Sequence, residues 1–270
     1  MRGGSVGDEA GLAAVVEAPP MSRRIRLILS YDGTEFSGWQ VQPGLPTIQS
    51  HLEEIFLAIE RKRVHVAGSG RTDAGVHALA QVAAVTLDNP IPVRNLKKAV
   101  NRLLPAGIRV MRAEEVPAEF HPRFDALEKT YEYRIWRGET VSPFDARYLH
   151  HHPFPMSDEK FIAAAPLLVG EHDFMAFAAA DDADYPGRSK VRKIFASEAR
   201  REGDLLIYRV TGGGFLKHMV RNIVGTLLEA GKGNVDAERM RWLLSAPPGV
   251  RATPTAPAKG LFLVEVKYQY

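Results

Sequence analysis

The sequence contains no cysteine. That absence excludes disulfides, thiolate metal ligands and cysteine nucleophiles, and nothing points to an oxidising compartment, so a cytoplasmic location is expected. Long apolar runs are missing too: nowhere do the roughly 18 consecutive apolar residues needed to cross a bilayer occur. No membrane span is expected. An excess of one charge sign is also lacking, since 35 basic residues face 32 acidic ones for a formal charge of +3. A pI near 9.1 permits a polyanionic partner without requiring one. Nucleotide motifs are absent as well, because Gly68, Gly70 and Gly75 miss the GxGxxG spacing and no GxxxxGK(S/T) follows. His150, His151 and His152 stand side by side before Pro153, without ligand spacing on a regular element and without an HExxH or carboxylate cluster. No metal is assigned.

What is present is a chain of 270 residues, 45% of them hydrophobic, enough for a sizeable core in one large or two small domains. Residues 1 to 20 carry too little positive charge and too broken an apolar run for a secretory signal, and Met21 reads as an alternative start; a loose extension is expected over residues 1–22. "RRIRLILS" then alternates as a half-buried strand. From Thr47, an N-cap type, Ile48, Leu52, Ile55, Phe56 and Ile59 fall at helical spacing. Val64 and Val66 predict a short strand and "ALAQVAAVTL" a longer one. Asn95 to Leu104 predicts a helix with Leu96, Ala99, Val100 and Leu103 on one face, stopped by Pro105, and "GIRVMRAEEV" a strand. This β-α-β-β-α-β order is the split βαβ, or ferredoxin-like, unit.

A second pass repeats the list: strand 129–136, helix 157–169, strands 190–200 and 204–211, helices 215–229 and 236–244, strand 261–268. The fold class expected is α+β, with two ferredoxin-like halves, residues 23–120 and 121–270, forming an extended antiparallel sheet with a central cleft. "HPRFDALEKTY" reads as the junction. If each half keeps its helices on one face, the open faces side by side make a trough suited to nucleic acid, although the RNP1 pattern of four-stranded RNA-binding sheets is absent.

Three stretches carry residues that can do chemistry. "GSGRTDAGVHA", residues 68–78, sets Asp73 beside Arg71 with His77 close behind; by residue type alone this is an ordinary turn as readily as a catalytic loop. "GGGFLKHMVRNIVG", residues 212–225, predicts a helix that buries Met219, Val220, Ile223, Val224 and Leu227 and carries Lys217 and Arg221 on another face. Such a pair is either solvated surface or a site. "KTYEYRIW" places Tyr131 and Tyr133 on one strand face, as core or as a platform for an unstacked base.

Together with "RLILSYDGTEFSGWQVQPGLPTIQSHLE", "HPRFDALEKTYEYRI", "GEHDFMAFA" and "APAKGLFLVEVKY", these stretches resemble the bacterial tRNA pseudouridine synthase A family from about residue 23 to the C-terminus. The resemblance implies isomerisation of uridine to pseudouridine at positions 38, 39 and 40 in the anticodon stem-loop of tRNA, by a homodimer without cofactor. It implies further that Asp73 is the catalytic aspartate, Arg221 the arginine that pairs with it and Tyr131 the residue that stacks on the target base. Arg71, Lys217 and His77 join Tyr131 as substrate-binding candidates. A bidentate Arg221–Asp73 pair is expected. The Asp73 carboxylate can act on the sugar carbon C1', abstract a proton from C2' to give a glycal, or add to C6 of the ring; residue type does not choose among these. Arg61-Lys62-Arg63 and "RSKVRK" (188–193) are candidate phosphate contacts, and the acidic loop at 178–190 departs from the family pattern.

Overall fold

The computed structural model describes residues 22–179 and 189–269. The expected N-terminal extension up to residue 21, and residues 180–188 of the acidic loop with Arg188, lie outside the described residues.

The first half begins with β1 (Arg23–Tyr31), whose alternation buries Ile25, Leu27, Leu29 and Tyr31. Helix α1 (Ile48–Glu60) starts in a capping box in which the Thr47 side chain accepts from the Ser50 amide while the Ser50 hydroxyl accepts from the Thr47 amide. Strand β2 is only Ala67–Gly68, and β3 runs His77–Leu87. Val66 is therefore buried core ahead of the strand, not part of it. Helix α2 (Val93–Leu103) buries Leu96 and Val100, but its end leaves Leu103 exposed and turns Leu104 inward. Strand β4 (Ile108–Val116) completes the unit.

The second half opens with β5 (Glu128–Trp136), which pairs in parallel with the two-residue β6 (His150–His151). Helix α3 (Asp158–Ala164) passes into a 3-10 turn at Ala165–Leu168, where Pro166 cannot donate to a continuing α-helix. Strand β7 (Gly170–Asp173), unforeseen from the sequence, pairs with β8 (Val191–Glu202), which pairs with β9 (Leu205–Gly212). Helix α4 occupies Met219–Lys232, so the expected helix at 215–229 starts four residues later: Gly212, Gly213 and Gly214 favour irregular backbone, and His218 is left-handed at φ 59°. Helix α5 (Ala237–Leu243) and β10 (Leu261–Lys267) follow.

Among the described residues ten strands join one sheet, in the order β4-β1-β3-β10-β5-β9-β8-β7, with β2 on β3 and β6 on β5. With the short β6 and β7 set aside, β4-β1-β3-β2 and β10-β5-β9-β8 follow the same fourth-first-third-second order, helices separating first from second and third from fourth strand as a split βαβ requires. The halves meet through β10. It pairs antiparallel with β5 but in parallel with β3 at only two positions, Phe262 with His77 and Leu263 with Ala78. Further along the same edge of β3, β2 takes Ala83 and Ala84. The gap between these two partners is filled by side-chain bonds: Gln81 donates to the Gly70 carbonyl (2.9 Å) and accepts from the Ser69 hydroxyl (2.7 Å).

The sheet face away from the helices is not open at this junction. There His77 stacks on Phe262 (4.7 Å between ring centres), Arg134 lies over the same Phe262 ring (4.1 Å), and Tyr148 packs edge-on against His77. The main core lies on the other side, where α4 packs against Tyr131, Tyr133 and Ile135 of β5.

Close approach to α4 depends on Gly225, where an added Cβ would sit 1.6 Å from the Pro254 carbonyl oxygen. Gly225→Ala is expected to cost about 1–3 kcal/mol by overpacking, read as a lower melting temperature in calorimetry. An unchanged melting temperature would show that the 253–256 segment yields freely.

Candidate active site

The gap along β3 is where the loop Ser69–Val76 sits. Its backbone is tied on both sides: the Trp39 amide donates to the Thr72 carbonyl (3.0 Å), the Gly75 amide to the Phe36 carbonyl (3.3 Å) and the Val76 amide to the Asp73 carbonyl (3.1 Å). The buried hydroxyls of Tyr31 and Thr72 are hydrogen-bonded at 2.8 Å. Gly75, at φ 77°, makes the left-handed step after Asp73 that a side chain would disfavour. The chain is thus turned tightly around Asp73, and the carboxylate is held at the loop's apex.

Arg221 reaches it from α4. Its Nη1 donates to Asp73 Oδ2 at 3.1 Å, and its Nε donates to the Ala256 carbonyl at 2.8 Å. The pair is therefore joined through one nitrogen, not the fork expected, because the second edge of the guanidinium is engaged by the 253–256 segment. The Ala256 amide in turn donates to the Arg221 carbonyl (3.1 Å), so arginine and segment fix one another. With the side chains 16% and 22% exposed, the contact is shielded from water but open on the cleft side. A charge-assisted hydrogen bond of this kind contributes about 1.5–3 kcal/mol.

His218, not singled out from the sequence, is a second neighbour: its Nε2 lies 3.6 Å from the same Asp73 oxygen. The left-handed turn at His218 that delays the helix also aims the ring at Asp73. The available signal was its place between Lys217 and Met219 in a stretch already suspected.

Tyr131 is 7% exposed, lines the cleft and packs edge-on against Phe215 (5.0 Å). Burial raises its pKa above the ordinary tyrosine value, and the neighbouring Tyr31 and Asp73 push the same way, so the phenol keeps its proton. Its hydroxyl has no hydrogen-bond partner among the described residues.

The cleft encloses about 1430 Å³, more than a small-molecule pocket. Seven basic side chains line it (Arg71, Arg123, Lys129, Lys190, Arg192, Lys217 and Arg221) against a single carboxylate, Asp73, among the described residues. Arg71 and Lys217 are exposed at its rim. Lys217 precedes α4, so it does not share a helical face with Arg221 as expected; its carbonyl instead accepts from the Ala179 amide. Lys190 and Arg192 of the expected basic stretch line the cleft, whereas Lys62 lies outside it, paired with Asp88.

His77 is the candidate the fold places elsewhere. It is 1% exposed and outside the cleft lining, with Nδ1 accepting from the Gly33 amide (3.0 Å) and Nε2 facing the Arg147 and Lys259 carbonyls (3.2 Å each). Burial lowers its pKa despite nearby Asp32, which favours the neutral ring those contacts require. It joins the halves. His150, by contrast, is half-buried beside Tyr133, where burial brings its pKa down to about 4.

The family described as "tRNA pseudouridine synthase" matches residues 27–125 and 164–269. Among known proteins, tRNA pseudouridine synthase A of Solibacter usitatus (strain Ellin6076) is 61% identical over 246 residues, spanning 91% of this chain and 100% of the relative. The proteins of the same name from Pelobacter propionicus (strain DSM 2379 / NBRC 103807 / OttBd1) and Geobacillus kaustophilus (strain HTA426) are each 41% identical, over 91% and 92% of this chain and 100% and 96% of theirs.

The geometry makes Arg221 a test of the pairing. A lysine offers one point charge and cannot span Asp73 and the Ala256 carbonyl together, so Arg221→Lys is expected to lower turnover about tenfold or more while substrate affinity stays within about threefold. Steady-state kinetics at equal folded fraction decide it; unchanged turnover would detach Arg221 from the chemistry.

Proposed function

We propose that this chain, which belongs to the tRNA pseudouridine synthase family, isomerises uridine to pseudouridine at positions 38, 39 and 40 in the anticodon stem-loop of tRNA with Asp73 as its catalytic carboxylate. The observation that carries this reading is a carboxylate that, among the described residues, is the single one lining a cleft with seven cationic side chains, held by a guanidinium from the other half of the molecule at 3.1 Å.

The reaction breaks the C1'–N1 bond, turns the uracil and joins C1' to C5. A proton leaves C5 and one is gained at N1, so no atom or electron has to come from a cofactor. The Asp73 carboxylate acts at C1', at C2' or at ring C6. Each of these starts needs what the cleft supplies: a carboxylate fixed in direction, with water limited on one side. Arg221 holds that direction and keeps the charge compensated when the substrate is absent.

A stacked or paired uridine must first leave its helix, which costs a few kcal/mol. Tyr131 offers the flipped base an aromatic surface worth about 1–3 kcal/mol, braced by Phe215. The exposed Arg71 and Lys217 at the rim suit the phosphates that flank the flipped nucleotide, positioning the RNA without reading its bases. His77 serves the junction and not the substrate. The two halves, 23–120 and 121–270, contribute the loop and the arginine helix respectively. The enzyme works as a cytoplasmic homodimer, as the family resemblance implies; no helix among the described residues is long and apolar enough to cross a membrane.

The decisive assay uses tRNA transcripts tritiated at uracil C5, because isomerisation releases that label and binding alone does not. Asp73→Ala is expected to release no more label than an enzyme-free control while still binding tRNA in a filter assay; undiminished release would end the reading. Tyr131→Phe keeps the stacking surface and removes the hydroxyl. Its tRNA affinity is expected to hold within about twofold, the ring being retained, and its turnover to fall, the unpartnered hydroxyl being available to the substrate; equal turnover would leave Tyr131 a stacking residue only.

A further inference from the structure

Among the described residues that line the cleft, Lys129 is a buried ionisable group for which the reaction has no use. It lies on β5 two residues before Tyr131, so both side chains leave the same face of the strand, about 7 Å apart along it. It is 8% exposed and lines the cleft. Its ammonium has no hydrogen-bond or ion-pair partner among the described residues. A Cβ added to Gly70 would come within 3.9 Å of Nζ, so the ammonium reaches the loop that carries Asp73 three residues on. Burial, with Arg123 adding to it, brings its pKa down to about 8. An unpaired ammonium in such a place destabilises the fold, and a methionine of similar shape would remove the penalty. A ligand that engages the charge explains why a lysine stands there.

Resting on the pseudouridine synthase reading, we propose that Lys129 is a further catalytic residue, whose ammonium donates to a carbonyl oxygen of the flipped uracil and stabilises the negative charge the ring acquires. When the C1'–N1 bond breaks, its electron pair stays on the uracil, spread over N1, O2 and O4, while C1' bonds to an Asp73 oxygen or C2' gives its proton to Asp73 and forms a double bond to C1'. When Asp73 adds to C6 instead, the displaced pair again moves to O4. Charge therefore arrives at the uracil carbonyls by every route open to Asp73. Closure of the C1'–C5 bond uses that pair and frees Asp73, by breaking its bond to C1' or C6 or by returning the proton to C2'; C5 then loses its proton to solvent, N1 gains one, and Lys129 stays protonated throughout.

The alternative target is a phosphate. The position argues against it: Lys129 lies at the floor of the cleft beside the stacking tyrosine, while Arg71 and Lys217 stand exposed at the rim where a backbone passes. A fixed donor aimed at developing charge in a water-poor site typically carries a factor of about 10²–10³ in kcat.

The test compares wild type, Asp73→Ala, Lys129→Met and Lys129→Ala in the tritium-release assay, with melting temperatures. Lys129→Met is expected to melt higher than wild type, to lose about 100-fold or more in kcat and to keep its KM for tRNA within about threefold. Lys129→Ala is expected to regain turnover with added ethylamine, in proportion to its concentration, which a purely structural lysine would not allow. Unaltered kcat in Lys129→Met overturns the proposal. So does a raised KM with a salt dependence shallower by about one counterion, which marks a phosphate contact. Lower melting temperature with lost turnover and no amine rescue overturns it too, as a packing role. Wild type that releases no label counts against the enzymatic reading as a whole; active wild type beside active Lys129→Met counts against Lys129 alone.

Discussion

One ion pair ties the molecule's two halves to a common purpose. Asp73 and Arg221 are 148 residues apart in the chain and 3.1 Å apart in space. Each residue is positioned by its own half: the loop around Asp73 is shaped by contacts with Phe36, Trp39 and Tyr31, and Arg221 is anchored by Ala256. Their meeting therefore requires β10 to be in place between β3 and β5. A two-residue parallel contact is a slender link for a sheet this wide. The buried His77 reinforces it by bonding to Gly33, Arg147 and Lys259 at once, which ties the two halves together around β10.

The cleft follows from that junction. A continuous partner along β3 would have closed the edge and left no room for a loop. Because β2 and β10 share the edge and leave a gap between them, the Ser69–Val76 loop can sit in the sheet itself, supported by Gln81 instead of by a neighbouring strand. The site is then floored by β5, walled by α4 and rimmed by cations, with one carboxylate at its centre. This charge arrangement gives the cleft a positive field, the kind that draws a polyanion, around one carboxylate. A rigid surround also fits the energetics: stabilising charge as it develops works best when the groups do not have to reorganise.

Much of this was legible in residue patterns. Alternation in "RRIRLILS" and helical spacing from Ile48 to Ile59 reported strands and helices because burial on one face leaves a periodic trace. The repeated β-α-β-β-α-β order carried the α+β class. Short or irregular pieces left no such trace: β6 and β7 are two and four residues long, below the length at which a period can be seen. The start of α4 was misplaced because "FLKH" has helical character in composition, while the left-handed backbone at His218 answers to its surroundings. The far face of the sheet was expected to be open, since the covering by Phe262, Arg134 and Tyr148 brings together residues from three separate stretches.

By itself the sequence determined the kinds of chemistry available: no thiol, no nucleotide loop, no metal spacing, and an aspartate and arginine in motifs specific enough to show a family resemblance. It determined the secondary structure wherever one face of an element meets a core, because that is a local and periodic demand. Only the tertiary structure decided that Arg221 bonds Asp73 through a single nitrogen, that His218 and Lys129 share the site and that His77 does not. Those outcomes depend on distances between residues far apart in the chain, set by how β10 joins the two halves of one sheet, and hydrogen bonds and charges act over ångströms of space irrespective of separation along the chain.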